Sequence, residues 1–466
     1  MNFELLVLLV YSASLIALGL WIGRRVESSG EFFVANRKLG AGLIFSTVLA
    51  ANIGAGSTVG AAGLGYRDGL AGWWWVGSAA LGTLILAIWI GPKIWRIAAE
   101  HGLYTMGDYL ELRYGQSVRV VLSGLLWLGT PALLAAQLIA MSKILEFVTG
   151  APTWTGIFIG AVVIMAYFTT GGLLTSAWVN MVQAIFILIG FAIALPWALQ
   201  AVGGWSGLVS EIPQSHDYLD FWNGGRSGWI YLAIIGPNFI VSPGLIQKVY
   251  GAVDERAIRL GLGAASLALL VFAIAPPILG MIGRVYDPNL MDHEHALMLV
   301  LRNGLPTLLG SLGLAAVFSA EISSADAILF MLSTSLSKDL YKRFINPDAS
   351  DKKILMVSRS AALAGGTIAV LLALVLPSII DALTIFYSLM AVCLFIPVVV
   401  GLYTRRPGTP EALAAIGAGI AVLIIVNIME LENSWPWLDA SFLGLLASAA
   451  TFGIVFLVRR GTGART

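Results

Sequence analysis

An apolar run from Leu43 to Tyr66 is interrupted by Ala50-Ala51-Asn52-Ile53-Gly54-Ala55-Gly56-Ser57-Thr58. The run is long enough to cross a bilayer, yet its middle holds an amide, two hydroxyls and closely spaced glycines, with Gly60 following. Broken backbone is tolerated inside a membrane only where it faces protein or a watery cavity. The pattern therefore predicts a discontinuous helix, a feature typical of secondary transporters. The alternative is an unbroken helix whose glycines form a packing face for a neighbouring helix.

The composition of the whole chain is that of a polytopic α-helical membrane protein. Of 466 residues, 58% are hydrophobic and 11% are charged, and the mean hydropathy is +0.87. The net charge of +1 gives no reason to expect a nucleic-acid partner. The single cysteine, Cys393, excludes an internal disulfide framework and argues against a redox enzyme or a metalloenzyme. We expect a transporter or another membrane protein rather than an enzyme.

Apolar runs of about 20 residues, the length of a spanning helix, recur along the chain. They predict about 13 transmembrane helices, at residues 3–23, 41–66, 70–98, 117–148, 153–170, 172–202, 226–251, 257–284, 305–337, 354–377, 380–403, 410–430 and 438–458. The first run is followed by Arg24-Arg25, whereas a signal peptide carries its charge first. We therefore expect the first span to be retained.

The basic residues predict the orientation of these spans. Short cytoplasmic loops collect Lys and Arg, and 22 of the 27 basic residues fall in alternate loops on one side. A missed or invented span would scramble this alternation for every later loop. The pattern predicts a multi-pass protein of the plasma membrane, with the amino terminus outside and the carboxyl terminus inside.

A second polar stretch, Ser319-Ala320-Glu321-Ile322-Ser323-Ser324-Ala325-Asp326, lies in the span at 305–337. Carboxylates and hydroxyls at this depth are costly unless they face water, an ion or polar partners. Ala320, Ser323 and Ser324 are spaced i, i+3, i+4 and share one helical face. Their two hydroxyl oxygens and one backbone carbonyl supply half of the oxygen shell of a cation.

The other half of that shell is predicted to come from carbonyls that the first broken span frees, at Ala50 and Ile53. Sodium is a hard cation, and it suits oxygen ligands of this kind. Serine hydroxyls also bond back to their own helix, so a serine pair has a purely structural interpretation as well.

Several further motifs resemble one known family when they are taken in order. These are Asn36-Arg37-Lys38-Leu39-Gly40, Ala50-Ala51-Asn52-Ile53, Phe168-Thr169-Thr170-Gly171-Gly172-Leu173, Ile246-Gln247-Lys248, and the serine pair leading to Ser337-Lys338-Asp339-Leu340-Tyr341-Lys342-Arg343. From about residue 30 to 405 the chain is similar to the sodium/solute symporter family, whose members include sodium–galactose, sodium–proline and sodium–sialic acid transporters.

The resemblance implies a single transmembrane domain, 1–466, with a LeuT-type fold. Such a fold has two inverted five-helix repeats, here about 41–202 and 226–403, with one helix before them (3–23) and two after (410–458). The resemblance also implies a sodium site formed by the carbonyls of Ala50, Ile53 and Ala320 and the hydroxyls of Ser323 and Ser324. These are the same five positions that the helical-face argument selects.

The chain departs from its relatives at two positions. Many relatives carry an aspartate in the fifth repeat helix, on the path of the cation or in a second sodium site, where this chain has Asn180. Conversely, Asp326 stands where relatives with a second site use a hydroxyl. Asn180, Asp326 and Glu321 are therefore candidates for a second cation or proton site.

The solute pocket is expected beside the helix breaks, halfway across the membrane. The candidate solute-binding residues are Asn52, Gly56, Ser57, Gln137, Asn238 and Tyr387. Sugar-transporting relatives place an acidic–amide pair where this chain has Gly56-Ser57, which argues against a sugar. Exposed N–H groups at the break would suit a carboxylate. We interpret Trp73-Trp74-Trp75 as an interfacial cluster.

These observations favour sodium-coupled symport of a small polar organic solute, with an amino acid, a monocarboxylate or a quaternary amine all open. The expected partners are that solute, sodium and the lipid bilayer, and no obligatory protein partner is evident. One alternative is a proton-coupled carrier that uses Glu321 or Asp326. Another is a transporter-like membrane sensor, because some relatives are fused to signalling domains, although none follows Arg460.

Overall fold

The computed structural model describes residues 3–23, 34–168, 173–213, 216–224, 226–429 and 439–461. Arg24-Arg25 and Thr169-Thr170-Gly171-Gly172 lie outside the described residues. The same holds for one end of each predicted span at 153–170, 172–202, 410–430 and 438–458. Where the chain is described, it is almost entirely helical.

The first half of the chain forms eleven helices within the described residues. They are α1 (Phe3–Gly23), α2 (Ala41–Asn52), α3 (Ala61–Asp68), α4 (Trp73–Ile85), α5 (Gly91–His101), α6 (Met106–Tyr114), α7 (Gln116–Thr149), α8 (Thr153–Phe168), α9 (Leu173–Ala201), α10 (Gly204–Glu211) and α11 (His216–Leu219). Short 3₁₀ turns form at Ala35–Arg37 and Gly69–Gly72, and π-helical turns at Gly56–Gly60 and Leu86–Ile90. An antiparallel hairpin follows, in which β1 (Asn223–Gly224) pairs with β2 (Ser227–Gly228).

The second half of the chain forms ten helices within the described residues. They are α12 (Ile230–Val241), α13 (Pro243–Tyr250), α14 (Glu255–Phe272), α15 (Ala275–Tyr286), α16 (Ala296–Asn303), α17 (Thr307–Thr334), α18 (Asp351–Ala373), α19 (Ile379–Tyr403), α20 (Thr409–Ile428) and α21 (Ala440–Gly461). A 3₁₀ turn at His293–His295 precedes α16, and a π-helical segment, Ser335–Ile345, continues α17.

The predicted discontinuity in the first polar span is confirmed. Helix α2 ends at Asn52, and Ile53 is extended, with φ −96° and ψ 99°. The chain resumes in the π-helical turn, where Gly60 N–H donates to the carbonyl of Ala55 at 2.8 Å. The carbonyls of the last turn of α2 are thereby left without regular helical partners.

A second discontinuity separates α12 from α13. Ser242 has φ −52° and ψ 121°, because Pro243 lacks an N–H donor and disfavours a helical conformation in the preceding residue. Pro237, in contrast, lies inside α12 without ending it. Our span at 226–251 places no break here, so this interruption is a finding of the structure.

Helix α17 lies at the centre of the molecule. It packs against α1, α7, α9 and α18, and nearly every residue from Gly310 to Thr334 is buried. The two interrupted helices flank this centre, with α2 packed on α14 and α9, and α12 packed on α4 and α19. The polar stretch of α17 is therefore enclosed by protein.

Within the described residues, ten helices are long and apolar enough to cross a membrane. Three shorter apolar helices accompany them, at Phe3–Leu15, Ala41–Asn52 and Thr153–Ala166. The predicted total of about thirteen spans and the predicted orientation of the termini stay predictions.

Candidate functional site

The five oxygen atoms predicted to bind sodium lie together where α2 ends. Ser324 Oγ is 3.1 Å from the carbonyl oxygens of both Ala50 and Ile53. Ser323 Oγ is 3.2 Å from the carbonyl oxygen of Ala50 and 2.9 Å from that of Ala320. All five residues are buried. The structure thus brings carbonyls of the broken helix against the hydroxyl face of α17.

The hydrogen count of this oxygen cluster suits a cation. Each serine hydroxyl carries one hydrogen. The Ala320 carbonyl lies inside the continuous helix α17, whereas those of Ala50 and Ile53 lie at the end of α2 and lack a regular helical partner. Each serine hydrogen points at one carbonyl at a time, so lone pairs remain on all five oxygens. A hard cation held between the five oxygens would engage the lone pairs of all of them, and oxygen-only shells of this kind bind such ions.

The helix break itself is held by two side chains. Ser57 Oγ accepts the Gly54 N–H at 2.9 Å and also lies 2.9 Å from the Asn52 carbonyl. Gln137 Oε1, from α7, accepts the Ala55 N–H at 3.0 Å. The N–H groups of Gly54 and Ala55 are therefore occupied. Our expectation that exposed N–H groups at the break would receive a carboxylate is wrong for these two.

A cavity of about 810 Å³ lies beside the break. All six candidate solute residues line it: Asn52, Gly56, Ser57, Gln137, Asn238 and Tyr387. Asn238 is 1% exposed, and its Oδ1 has no hydrogen-bond partner among the described residues. Asn52 Oδ1 likewise has no partner there. Two amide oxygens of the cavity-lining residues are thus buried without a hydrogen-bond partner in the described chain.

The cavity wall also contains Trp75 and Lys248, two functional side chains that were not among the solute candidates. Trp75 lines the cavity beside Gly56, so the interfacial interpretation of this tryptophan is wrong. Trp74 instead packs on Phe221 of the segment that follows α11. Lys248 is the one charged side chain among the described residues that line the cavity. The available signal was a lysine five residues after a helix-breaking proline, Pro243, within an apolar span.

The three candidates for a second cation or proton site share no hydrogen bond with one another in the described chain. Glu321 is fully buried, and its Oε1 lies 2.9 Å from Thr58 Oγ1. Asp326 accepts a hydrogen bond from Ser176 of α9, one turn before Asn180, and lies close enough to Lys248 for their charges to interact. Asn180 Oδ1 is buried without a hydrogen-bond partner in the described chain.

The loop before α16 joins three elements at the predicted outer side of the molecule. Glu294 Oε1 accepts the Ile379 N–H at 2.7 Å, at the start of α19. Asp292 forms an ion pair with Lys143 at the end of α7, and His293 packs against Gly63 of α3. Burial raises the pKa of Glu294 to about 7, and the charge of Asp292 acts in the same direction.

A smaller cavity of about 260 Å³ lies on the predicted cytoplasmic side of the large one. Met331 lines both cavities and separates them. The far wall of the smaller cavity contains Asp339, which forms an ion pair with Arg119 at 2.6 Å. Arg119 also pairs with Asp108 at 2.8 Å and Glu111 at 2.6 Å. This ion-pair cluster therefore lies next to the smaller cavity.

Residues 32–419 of the chain match the family model described as "Sodium:solute symporter family". The chain is 28% identical over 444 residues to the sodium/pantothenate symporter of Escherichia coli (strain K12), covering 90% of this chain and 89% of that protein. It is 24% identical over 489 residues to the sodium/glucose cotransporter of Vibrio parahaemolyticus, covering 95% and 88%.

Among solved structures, the chain is similar to the substrate-bound, outward-open state of a Na⁺-coupled sialic acid symporter. The TM-score is 0.80 at 17% sequence identity, and the match covers 98% of each chain. At this identity the likeness shows the fold alone. The prediction of an all-α polytopic membrane fold of the LeuT type is confirmed.

Proposed function

Because the chain belongs to the sodium:solute symporter family, we propose that it is a sodium-coupled symporter of a small polar organic solute. It works by alternating access around the cavity beside the first helix break. The members of this family are transporters, and we propose transport rather than enzyme activity for this chain. Its partners are the solute, sodium and the lipid bilayer of the plasma membrane.

The observation that carries this proposal is the convergence of five buried oxygens from α2 and α17. They belong to Ala50, Ile53, Ala320, Ser323 and Ser324, which we propose as the sodium ligands. The Ser324 side chain also lines the cavity. A cation at this position would fix the end of α2 against α17, so it would favour the conformation in which the two helices are in contact.

We also propose the finer architecture that the sequence predicts. About 13 helices cross the membrane, with the amino terminus outside, and the repeats at 41–202 and 226–403 are related by inversion. Each repeat opens with an interrupted helix, α2–α3 in the first and α12–α13 in the second. The helix at 3–23 precedes the repeats, and those at 410–458 follow them. The biased distribution of Lys and Arg supports the orientation.

We propose that the solute carries a carboxylate. Lys248 places one positive charge on the cavity wall, while Trp75, Phe239 and Phe386 make the rest of that wall largely apolar. The free amide oxygens of Asn52 and Asn238 suit a hydroxyl, amide or ammonium donor elsewhere on the same molecule. An organic acid with one polar donor fits these walls better than a quaternary amine.

The test is uptake by purified protein in proteoliposomes, with sodium and pH gradients imposed separately. Radiolabelled pantothenate, proline, lactate, glucose and choline form the panel. We expect accumulation of at least one carboxylate under an inward sodium gradient at equal pH, and none under a pH gradient without sodium. Sodium-independent accumulation of every transported solute would contradict the coupling. Accumulation of choline or glucose alone would contradict the solute class.

Proton coupling through Glu321 or Asp326 is the second candidate, and one observation favours it. The single hydroxyl hydrogen of Thr58 faces both the Gly54 carbonyl and Glu321 Oε1, each at 2.9 Å. Glu321 Oε2 has no partner among the described residues. A proton on Glu321 would satisfy both contacts. In the proteoliposome experiment this mechanism predicts uptake driven by the pH gradient alone.

As part of the proposed sodium symport, we also propose a second cation site among Asp326, Asn180 and Glu321. The buried Asn180 oxygen and the contact between Asp326 and Ser176 support a polar path along α9 and α17. Because Glu321 contacts Thr58 instead, Asp326 is the member of this set that we expect to bind a cation.

A further inference from the structure

Gln137 occupies a position between the cavity and the proposed sodium ligands. It lies in the middle of α7, is 3% exposed, and lines the cavity. Its Oε1 accepts the Ala55 N–H at 3.0 Å, two residues after the Ile53 carbonyl. It therefore holds the broken segment from a different helix, whereas Ser57 holds it from within.

The space around Gly54 shows how close this contact lies to the oxygen cluster. A Cβ atom built on Gly54 would lie 2.3 Å from Ser324 Oγ and 2.8 Å from Gln137 Oε1. Both side chains thus approach one point on the backbone, directly after Ile53. A shift of Gln137 would move the peptide that carries the Ile53 carbonyl.

The amide of Gln137 has an unused end. Since the Ala55 N–H is a donor, the atom that faces it must be the carbonyl oxygen, which assigns Nε2 to the other side. Nε2 makes no hydrogen bond to any described residue, and it is not enclosed by protein. Its two N–H groups therefore remain available at the cavity wall, where a carboxylate would accept from them.

We infer that Gln137 is the positioning residue that couples solute binding to sodium binding. This inference rests on the proposed function. A solute acceptor on Nε2 fixes the amide, and the fixed Oε1 holds Ala55. The held segment keeps the carbonyls of Ile53 and Ala50 directed at the serine pair. Because coupling of two binding equilibria is reciprocal, bound sodium equally favours the solute.

Two substitutions separate the two ends of the amide. Gln137→Leu removes both the acceptor and the donor, whereas Gln137→Glu keeps an acceptor for the Ala55 N–H and loses the donor. Ser142→Ala is the control, because Ser142 is buried on the same helix, its hydroxyl donates to the Ile139 carbonyl, and it lies outside the cavity wall. Each variant is checked for its amount in the membrane and for a single peak in size-exclusion chromatography.

The experiment measures binding of radioactive sodium to the purified full-length protein without solute. We expect Gln137→Leu to weaken sodium binding by roughly tenfold, the effect of one buried hydrogen bond. Gln137→Glu should bind sodium at least as tightly as the wild type, and Ser142→Ala should be unchanged. A merely structural role for the Gln137 acceptor would give the same two results, so the response of sodium binding to the solute is the measurement that distinguishes coupling from such a role.

A second arm adds the carboxylate that the uptake panel selects. It should tighten sodium binding in the wild type and in Ser142→Ala once its concentration saturates, but not in Gln137→Glu. If Gln137→Leu bound sodium with wild-type affinity while Ser324→Ala lost sodium binding, the role of Gln137 would be overturned. The proposed sodium site would stand. Absence of sodium binding in the wild type would overturn the proposed function and this inference with it.

Discussion

Gly54 is the residue at which the parts of the site come closest. A methyl group there would displace the Ser324 hydroxyl, which lies 2.3 Å from the Cβ position. We expect Gly54→Ala to reduce sodium-dependent uptake by roughly tenfold or more, because overpacking shifts the ligands. Uptake is measured in proteoliposomes at equal protein content. Gly42→Ala is the control, since nothing lies within 4 Å of its Cβ position. Equal activity of the two variants would contradict the geometry.

Ser323 and Ser324 supply the two proposed hydroxyl ligands. We expect either serine-to-alanine substitution to raise the sodium concentration for half-maximal uptake by roughly tenfold, because water cannot easily replace a buried ligand oxygen. Ser333→Ala is the matched control, because this serine is buried on α17 and its hydroxyl donates to the Phe330 carbonyl of the same helix. An unchanged sodium dependence of uptake in both single variants would show that sodium binds elsewhere.

Asp326 is the residue at which this chain differs most usefully from its relatives. As a cation ligand its carboxylate adds charge that an amide lacks, so we expect Asp326→Asn to raise the half-saturating sodium concentration several-fold. The measurement is sodium activation of uptake at several pH values. A flattened pH dependence at unchanged sodium activation would assign a proton to Asp326. Wild-type responses to both ions would leave only its hydrogen bond with Ser176.

At the scale of residues, the sequence predicted what lies on one helical face and missed what depends on two helices. The spacing of Ala320, Ser323 and Ser324 was sufficient because i, i+3 and i+4 share a face. The bond between Gln137 and Ala55 joins residues 82 positions apart, and no local pattern contains it. The pairing of Glu321 with Thr58 was missed for the same reason.

At the scale of elements, the loop before α16 gives the protein a pH-dependent connection. Glu294 holds the start of α19, and burial raises its pKa from the ordinary 4.5 to about 7. The folded protein therefore binds this proton more tightly than the unfolded chain. The contribution of Glu294 to stability is largest below pH 4.5 and is lost as the pH rises through 7.

We expect Glu294→Gln, which cannot lose a proton, to melt at a higher temperature than the wild type at pH 8 and to match it near pH 5. The measurement is the apparent melting temperature of the purified protein in detergent. Glu211→Gln, at an exposed acid of α10, should follow the wild type at both pH values. If the melting temperature of Glu294→Gln fell with rising pH as it does in the wild type, other groups, such as His293 or His295, would be responsible for the pH dependence.

The two helix breaks differ in how far the sequence could predict them. Glycines and polar residues around Asn52 mark the first break, because they are exceptional in an apolar run. The second break follows from Pro243, but Pro237 in the same span remains inside α12. Neighbouring helices can satisfy the backbone groups that a proline frees, so tertiary packing decides which proline ends a helix.

At the scale of the whole molecule, the orientation can be tested with single cysteines. Cys393 is the only cysteine and is fully buried, so Cys393→Ala provides a background. Asn289 and Lys352 are exposed at opposite ends of the segment that contains α17. A membrane-impermeant maleimide should label Asn289→Cys in intact cells, and Lys352→Cys only after permeabilisation. The reverse labelling pattern would show that the protein has the opposite orientation. Labelling of both cysteines in intact cells would contradict the span assignment.

Composition and apolar run lengths were sufficient for the fold class, because only helices bury their own backbone groups in lipid. They contain no information on which helix lies at the centre. Helix α17 occupies the centre, because its face of small and hydroxyl side chains permits close approach of α2, α7 and α9. The location of the cavity follows from this arrangement.

The smaller cavity has Met331 on one side and the ion pair of Asp339 with Arg119 on the other. If the proposed transport path runs through it, an ion that left the central cavity would meet two barriers in series. For barriers that open independently, the chance that both are open together is the product of the separate chances. Two minor states populated at roughly 1% each give a joint population on the order of 0.01%. Thermal opening of one barrier would then produce no leak, and the ion gradient across the membrane would be preserved between transport cycles.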